Sequence, residues 1–408
     1  MVADVVSEGS GSQSALRRTN ERQMLRALRT LGPSSQADLA REVGLSRSAV
    51  NGIVRSLEAD GLIEVLPGAS GRETRVVLRG ARGAVLAVDL GHQRLHGSLV
   101  SFDGEIRLDE VVDLGREHDG HADVSTVAEL VERLIERSRL PRDAFRRVYV
   151  GLHAPYDALA GAISQSGILP GWEGLGVEAA LESRLGIPIT VDNDANFAAL
   201  AEWTWGVARG ADVLLYVKSS NGIGSGLVFD GRVFRGANGM AGELGHVVVD
   251  DRGALCNCGN RGCLSAVASG RALLADLAAA GAPRGSLQEV IADARAGDLA
   301  CRRLLTEAGR YLGLALSHAV KLIAPGAIIV GGELGAAGSL VLESVRAELA
   351  ASTLQTASGP PRLEQGIPRA DMCILGCVAA ALEEQAMGLS ELPPWLLAPV
   401  GHRTRQDA

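Results

Sequence analysis

Three cysteines within eight positions, Cys256, Cys258 and Cys263, constrain this 408-residue chain more than any other feature it carries. What they do depends on the compartment. The N-terminal MVADVVSEGSGSQSALRR has polar residues where a secretory leader needs an apolar stretch, and no run of about 18 apolar residues occurs, so the expected location is cytoplasmic, away from membranes. In a reducing cytosol, clustered thiols point to a metal ion and not to disulfides. The other three cysteines, Cys301, Cys373 and Cys377, fall in apolar helical patterns and are read as core. The length suggests two to four domains, and 47% apolar with 22% charged residues excludes wholesale disorder.

Charge is uneven along the chain. Residues 1–80 hold eleven Arg against nine Asp and Glu, a net of +2, which leaves −10 for the remainder of a chain whose total is −8. Within that basic end, residues 20–80 read as helix, helix, turn, helix and hairpin, behind an N-terminal arm at 1–19. Met24, Leu25, Leu28 and Leu31 form one helical stripe that stops at Gly32-Pro33. A second helix starts at Ser35, with Asp38 three residues on in a capping-box arrangement, and ends at Gly44. Ser46 caps a third whose Val50, Ile53, Val54 and Leu57 face inward, leaving Arg47, Ser48, Asn51 and Arg55 outward. The segment LIEVLPGASGRETRVVL then alternates as two strands around a Pro-Gly tip carrying Arg72. This arrangement resembles the winged helix-turn-helix of bacterial transcription factors. It implies double-stranded DNA as partner, with Arg47, Ser48 and Asn51 at base edges and Arg55 and Arg72 at phosphate or minor groove. The alternative is a helical protein-interaction module with a solvated polar face.

Past a short linker at Gly80–Gly83, AVLAVDLGHQRLHGSLVSFDGEIRLDEVVDL reads as three strands with a tight Asp103-Gly104 turn, a meander resembling the opening of lobes in the sugar kinase, actin and heat-shock ATPase superfamily. GIPITVDNDANFAALAEWTWG follows as strand into helix, and ADVLLYVKSSNGIGSGLVFDGRVFRG as a hairpin set. With GANGMAGELGHVVVDDRGALCNCGNRGCLSAVASG, whose GELGH precedes CxCGxxGC, the chain is similar to the ROK family of repressors, open reading frames and kinases, in its repressor branch. The fold implied is α/β: the winged head followed by a two-lobed ribonuclease H-like, actin- or sugar-kinase-like body at 83–388. Lobes are expected at 83–194 and 195–370, a C-terminal helix at about 374–388 and a tail at 389–408.

The resemblance implies a sugar-responsive transcriptional regulator, most simply a repressor of carbohydrate uptake or catabolism, forming a homodimer or homotetramer. His246 joins Cys256, Cys258 and Cys263 as one imidazole and three thiolates, a full tetrahedral set with no vacancy for a reacting water, so the expected ion is one structural zinc per chain. Sugar hydroxyls are assigned to Asn193, Asp194, Glu243 and His246, with Asp194 the position of the general base in the kinases. Asn193 and Asp194 also fit helix caps, and Trp172 fits either a sugar-facing ring or the core. Departures from the kinase pattern are specific. The first corner reads Asp89-Leu90-Gly91-His92-Gln93-Arg94 in place of a glycine-rich DxGGTK, Ser265 stands where a sugar-binding Glu is usual, and Pro155-Tyr156 replaces a Pro-Gly turn, with His153 just before it. A crowded corner cradles phosphate poorly. The expectation is therefore a non-enzymatic sensor, against an active sugar kinase that also binds DNA, or a DNA-bound factor released by a protein partner. Gly222–Gly226 and Gly331-Gly332 survive but also serve the fold.

Overall fold

The computed structural model describes residues 20–384 except 22, 26, 29–33, 60–61, 68–73, 79–83, 92–93, 102–106, 116–118, 164–170, 173 and 355–358. The N-terminal arm, Gly32-Pro33, the wing tip with Arg72, the linker, His92-Gln93, the Asp103-Gly104 turn and the C-terminal tail lie outside the described residues.

In the head, Asn20, Glu21, Gln23–Leu25, Ala27 and Leu28 are helical, followed by α1 (Gln36–Val43) and α2 (Arg47–Ala59). The Ser35 hydroxyl oxygen accepts from the Asp38 N–H at 3.2 Å and its proton goes to Asp38 Oδ2 at 2.8 Å, satisfying one of the donors left open at the start of α1. Gly44 ends α1 with φ 66°, a left-handed conformation that a Cβ would disfavour. Ser46 accepts from the Ala49 N–H at the start of α2. β1 (Ile63–Pro67) and β2 (Thr74–Leu78) form the antiparallel wing, paired from Ile63 opposite Leu78 to Pro67 opposite Thr74, and Ser34 bridges to Val76 on its far edge. Met24, Leu25, Leu28, Leu39, Val50, Ile53, Val54, Leu57, Ile63 and Val76 make one closed core.

The body holds two five-stranded sheets of the same design. The first consists of β3 (Ala84–Leu90), β4 (Arg94–Ser101), β5 (Arg107–Asp113), β6 (Val148–Leu152) and β7 (Ile189–Asn193), in the order β5-β4-β3-β6-β7. The second consists of β8 (Val213–Ser219), β9 (Ile223–Phe229), β10 (Arg232–Val233), β11 (Ala327–Gly331) and β12 (Arg362–Gln365), in the order β10-β9-β8-β11-β12. In each, an antiparallel meander is extended by two parallel strands. Strand period then divides every strand between two faces. Leu86, Val88 and Leu90 turn outward against α3 (Gly120–Ser138) and α4 (Val177–Leu185), while Val85 and Ala87 turn inward.

α5 (Asp194–Trp205) lies against the inner face of the second sheet, whose outer face packs on α6 (Leu299–Ile323) and α7 (Ser339–Ser352). The chain returns as α8 (Met372–Glu384), which fills the space between α5 and the first sheet. α8 begins two residues before the helix expected at 374, and its continuation past 384 is outside the described residues. A helix apolar on all sides suits only an interior position, and Met372 through Ala379, Ala381 and Leu382 are all buried, Cys373 and Cys377 among them. Cys301 is likewise core, within the cluster under α6.

The two inner helices touch backbone to backbone. A Cβ on Gly376 would lie 1.8 Å from the Phe197 carbonyl oxygen, so nothing larger than hydrogen fits. Gly376→Ala is expected to push α8 off α5 and lower stability by about 1 to 3 kcal/mol, read as a lower urea midpoint of the body's unfolding transition; an unchanged midpoint contradicts this packing.

Candidate functional site

On the head, Arg47, Asn51 and Arg55 stand at i, i+4 and i+8 along the exposed side of α2, with Ser48 beside them. Their Cβ atoms share one face because the opposite face carries Val50, Ile53, Val54 and Leu57 into the core. The Ser48 hydroxyl lies 3.0 Å from that of Ser46, and the first turn of α2 contains no acidic residue. A helix N-terminus bearing arginine and no carboxylate is electrostatically suited to an anionic backbone.

The cysteine loop of the body is a knuckle. His246 closes the short 3-10 turn Leu244–His246, Cys256 and Cys258 lie on the loop after it, and Cys263 precedes the helix Leu264–Ala268. Bridges between Val248 and Cys263 and between Leu255 and Arg261 pinch the loop. Gly262, at φ 68°, passes so close to Asp250 that a Cβ would coincide with its carbonyl oxygen. The four donor atoms lie within 4.8 Å of one another, with Cys256 Sγ 3.6 Å from His246 Nδ1 and Cys258 Sγ 3.6 Å from Cys263 Sγ. An ion at about 2.3 Å from sulfur and about 2.0 to 2.1 Å from nitrogen, bound tetrahedrally, spaces such atoms at about 3.8 and about 3.6 Å. Burial keeps the imidazole below its ordinary protonation range, in the neutral ligand form. Burial, then the hydrogen bonds of Cys258 and Cys256, push the Cys263 thiol up to about 12, so thiols this close ionise together only around a cation. The set fits a metal ion held through Nδ1, and Nε2 of His246 then lies on the side of Glu243, 3.9 Å from its Oε2.

The second cluster gathers at the carboxyl ends of the strands, where open α/β sheets place their ligands. Period-2 alternation puts Asp89 of β3 and Lys218 of β8 on the inner faces, together with Val85, Ala87, Leu214 and Tyr216. His153 follows β6. Asn193 and Asp194 mark the junction of β7 and α5. Asn193 is the cap: its side-chain oxygen accepts from the Ala195 N–H at 2.8 Å and its amide donates to the Ala154 carbonyl at 3.1 Å. Asp194 does not cap. It is 5% exposed and pairs with both His153 and Lys218. The Lys218 ammonium is also 2.8 Å from His153 Nε2, which lies 3.5 Å from Asp89. Burial alone raises the Asp194 carboxyl, but the charges and hydrogen bonds of His153 and Lys218 outweigh it and hold the group well below the usual carboxylate range. Burial, and then the Asp194 charge, push Glu243 up to about 7.

The structure thus brings Asn193 and Asp194 together with His153, and Glu243 together with His246. Sequence reasoning missed Lys218. Its signal was a single lysine in the otherwise apolar run VLLYV, on a strand buried on both faces. Of the two readings open for Trp172 the core one holds: it is 1% exposed and donates to the buried Asp123 carboxylate at 3.0 Å, so it offers no ring face to a sugar. His153 is neither fully buried nor a packed bystander. Its side chain is 28% exposed and sits among charges. Ser265 turns its hydroxyl to the Ile223 carbonyl. In the first corner the Gly91 N–H donates to the Arg94 carbonyl at 2.9 Å, and the Arg94 guanidinium lies 3.6 Å from Asp113, its register partner on β5. In the other two corners Gly226 and Gly332 are required by packing, whereas Gly222 has open space around it. A Cβ on Gly226 would lie 2.7 Å from the Ala195 carbonyl oxygen, and one on Gly332 2.4 Å from that of Ser219.

Among known proteins, the ROK family pattern matches residues 85–384, and a winged helix-turn-helix DNA-binding pattern matches residues 17–64. The chain is 27% identical over 343 residues to the xylose repressor of Bacillus subtilis (strain 168), covering 83% of this chain and 88% of that one. Among solved structures it is similar to a ROK family transcriptional regulator described as a homolog of the E. coli MLC protein, at 25% identity and TM-score 0.74, over 91% of this chain and 98% of that one. It is also similar to a ROK hexokinase from Thermus thermophilus, at 33% identity and TM-score 0.60, over 74% of this chain and 99% of that one. The relatives therefore include both regulators and sugar kinases.

The core position of Trp172 has a measurable consequence. Trp172→Phe removes the indole N–H that Asp123 accepts and is expected to cost about 1 to 3 kcal/mol of stability, while leaving the affinity of any ligand of the strand-end cluster within about twofold. A large loss of ligand affinity with unchanged stability would return Trp172 to the site.

Proposed function

The chain belongs to the ROK family, and we propose on that premise that it is a sugar-responsive, DNA-binding transcriptional regulator, most simply a repressor of carbohydrate uptake or catabolism genes. The observation that carries this reading is the joining of two unlike surfaces in one chain. One is the exposed face of α2 with Arg47, Ser48, Asn51 and Arg55; the other is formed by polar groups of the body, Asn193 and Asp194 at the strand ends and Glu243 with His246 beside the cysteine loop. The Bacillus subtilis relative is named a xylose repressor, which supports this reading.

On this reading α2 enters the major groove of an operator, where Arg47 and Asn51 offer paired hydrogen bonds to guanine and adenine edges and Arg55, with Arg72 of the wing, meets the backbone. A homodimer presents two such helices, and a homotetramer two pairs of them, to half-sites spaced by about one helical turn or a multiple of it. The body takes a sugar, whose vicinal hydroxyls need several acceptors and donors converging on one place. Its binding favours one arrangement of the lobes, and only an arrangement with altered operator affinity produces a response. The protein acts as a sensor and not as a kinase, because the corner at Asp89–Arg94 keeps Gly91 but has His92 in place of the second glycine that admits phosphate. The His246, Cys256, Cys258 and Cys263 set holds zinc in a closed tetrahedron, which supplies folding energy to the loop and fixes His246 toward the ligand.

Metal content, operator binding and the response to sugars test this. Protein isolated without chelator is expected to carry about one zinc per chain, and Cys258→Ser to lose the ion, lower the melting temperature and weaken the sugar response; well under one equivalent in both contradicts the assignment. In operator binding, Asn51→Ala is expected to cost about 1 to 3 kcal/mol on the specific site alone, and Arg55→Ala to weaken all sequences and reduce the salt slope by about one. Glu243→Ala is expected to abolish the sugar response while DNA affinity stays intact. A panel of monosaccharides, amino sugars and their phosphates that leaves both stability and operator affinity unchanged would favour control by a protein partner.

A further inference from the structure

The cluster at the strand ends contains a cation that the chain itself supplies. Asp89, His153 and Asp194 offer one nitrogen and two carboxylate oxygens within 4.8 Å of one another, and the Lys218 ammonium is bonded to two of the three groups. Its reach has a simple origin. Lys218 is the sixth residue of β8, on the inner face with Leu214 and Tyr216, and its register neighbours are Gly224 on β9 and Gly331 on β11. No side chain flanks it on either side, and the long stem runs to the first residue of α5, 24 positions earlier in the chain.

We propose that Lys218 is a tethered counter-cation that holds Asp194 as a permanent hydrogen-bond acceptor and prevents it from taking a proton from a bound hydroxyl. Lys218 is thus a positioning residue, and this deepens the sensor reading above by resting on Asp194 lining the sugar cleft. The argument starts from geometry. His153 Nε2 carries one role at a time: it donates to Asp194, or it accepts from Lys218. In either tautomer Lys218 stays on Asp194 Oδ2, with the carboxylate 8% and the ammonium 19% exposed. A general base must accept a proton in the transition state, and it weakens as its affinity for protons falls. To protonate Asp194 here, the chain must strip a buried ammonium of its partner, and breaking a buried pair from one side leaves an uncompensated charge. Lys218 in turn is held charged: burial disfavours the ammonium, but Asp194 and then Asp89 outweigh that. Glu243, Cys373 and Tyr216 are the further titratable groups coupled to Asp194, and the coupling of each disfavours a second negative charge there. Ligand recognition survives this arrangement, because an ionised carboxylate offers about four lone-pair sites and Lys218 occupies one.

The test needs neither sugar nor DNA. In the full chain labelled with carboxyl-13C aspartate, the Asp194 resonance is identified by its loss in Asp194→Asn and followed from about pH 5 to 8, above the ordinary aspartate range. The expected wild-type trace has no inflection of full carboxyl amplitude. In Lys218→Met an inflection enters the window, a change of about tenfold or more in the protonation constant, and Lys218→Gln, which keeps a donor but not the charge, does the same. A full inflection in the wild-type protein overturns the proposal. So does a flat trace in a folded Lys218 variant, and the wild-type trace decides alone if neither variant folds. Failure of the sensor reading looks different: a blank sugar panel with a flat wild-type trace removes the sensor and leaves the lysine lock.

Discussion

Everything in the body depends on how closely α5 and α8 approach each other between the two sheets. Phe197 of α5 presents its carbonyl oxygen to Gly376 of α8 at a distance no Cβ tolerates, while Ala195 and Ala199 of the same helix meet Gly226 of β9. Small residues at these crossings let two helices share a layer that also contains Val85, Ala87, Tyr149, Leu214, Tyr216 and Ile329 from the two sheets. Interiors packed this densely transmit displacement instead of absorbing it. Because Asp194 is the first residue of α5, the position of the carboxylate is set by the same packing that joins the lobes.

The two chemical clusters rest on different physics. At the knuckle, four soft donors are arranged by turns and by Gly262 around a point where a cation resolves their mutual repulsion. At the strand ends, charge is balanced within the chain: Lys218 comes from the second sheet, His153 and Asp89 from the first, and Asp194 from the helix between them. Glu243 belongs to both, since His246 lies 3.9 Å away on one side and the Asp194 charge acts on it from the other. Glu243 thus lies between the cysteine knuckle and the charge-balanced floor of the cluster.

Much of this was legible in the sequence, for reasons that are local. Ser35, Gly44 and Ser46 announce helix ends through bonds spanning three or four residues, and the stripe Val50, Ile53, Val54 and Leu57 fixes which side of α2 faces out. The cysteine spacing likewise contains its own geometry. The role of Lys218 was not legible: the apolar run VLLYV marks the lysine as unusual, but its partner Asp194 is brought close only by the fold. Trp172 was ambiguous because a ring that packs and a ring that stacks are the same residue; the buried Asp123 that decides between them lies 49 positions away. The glycines of Gly222–Gly226 and Gly331-Gly332 look like phosphate corners in sequence, yet in space Gly226 and Gly332 are fixed by the carbonyl oxygens of Ala195 and Ser219.

The place of α8 also orders events in time. The head closes its core with residues up to Val76, all made early in synthesis, and domains formed first along the chain generally fold first. The body cannot do so, because the layer between its sheets lacks one of its two helices until residues 372–384 have been made. A newly made chain therefore owns a finished DNA-reading face before it owns a finished interior in the body. The ribosome delivers the reader ahead of the regulator, and truncation between the end of the head and Met372 yields a head without a governor.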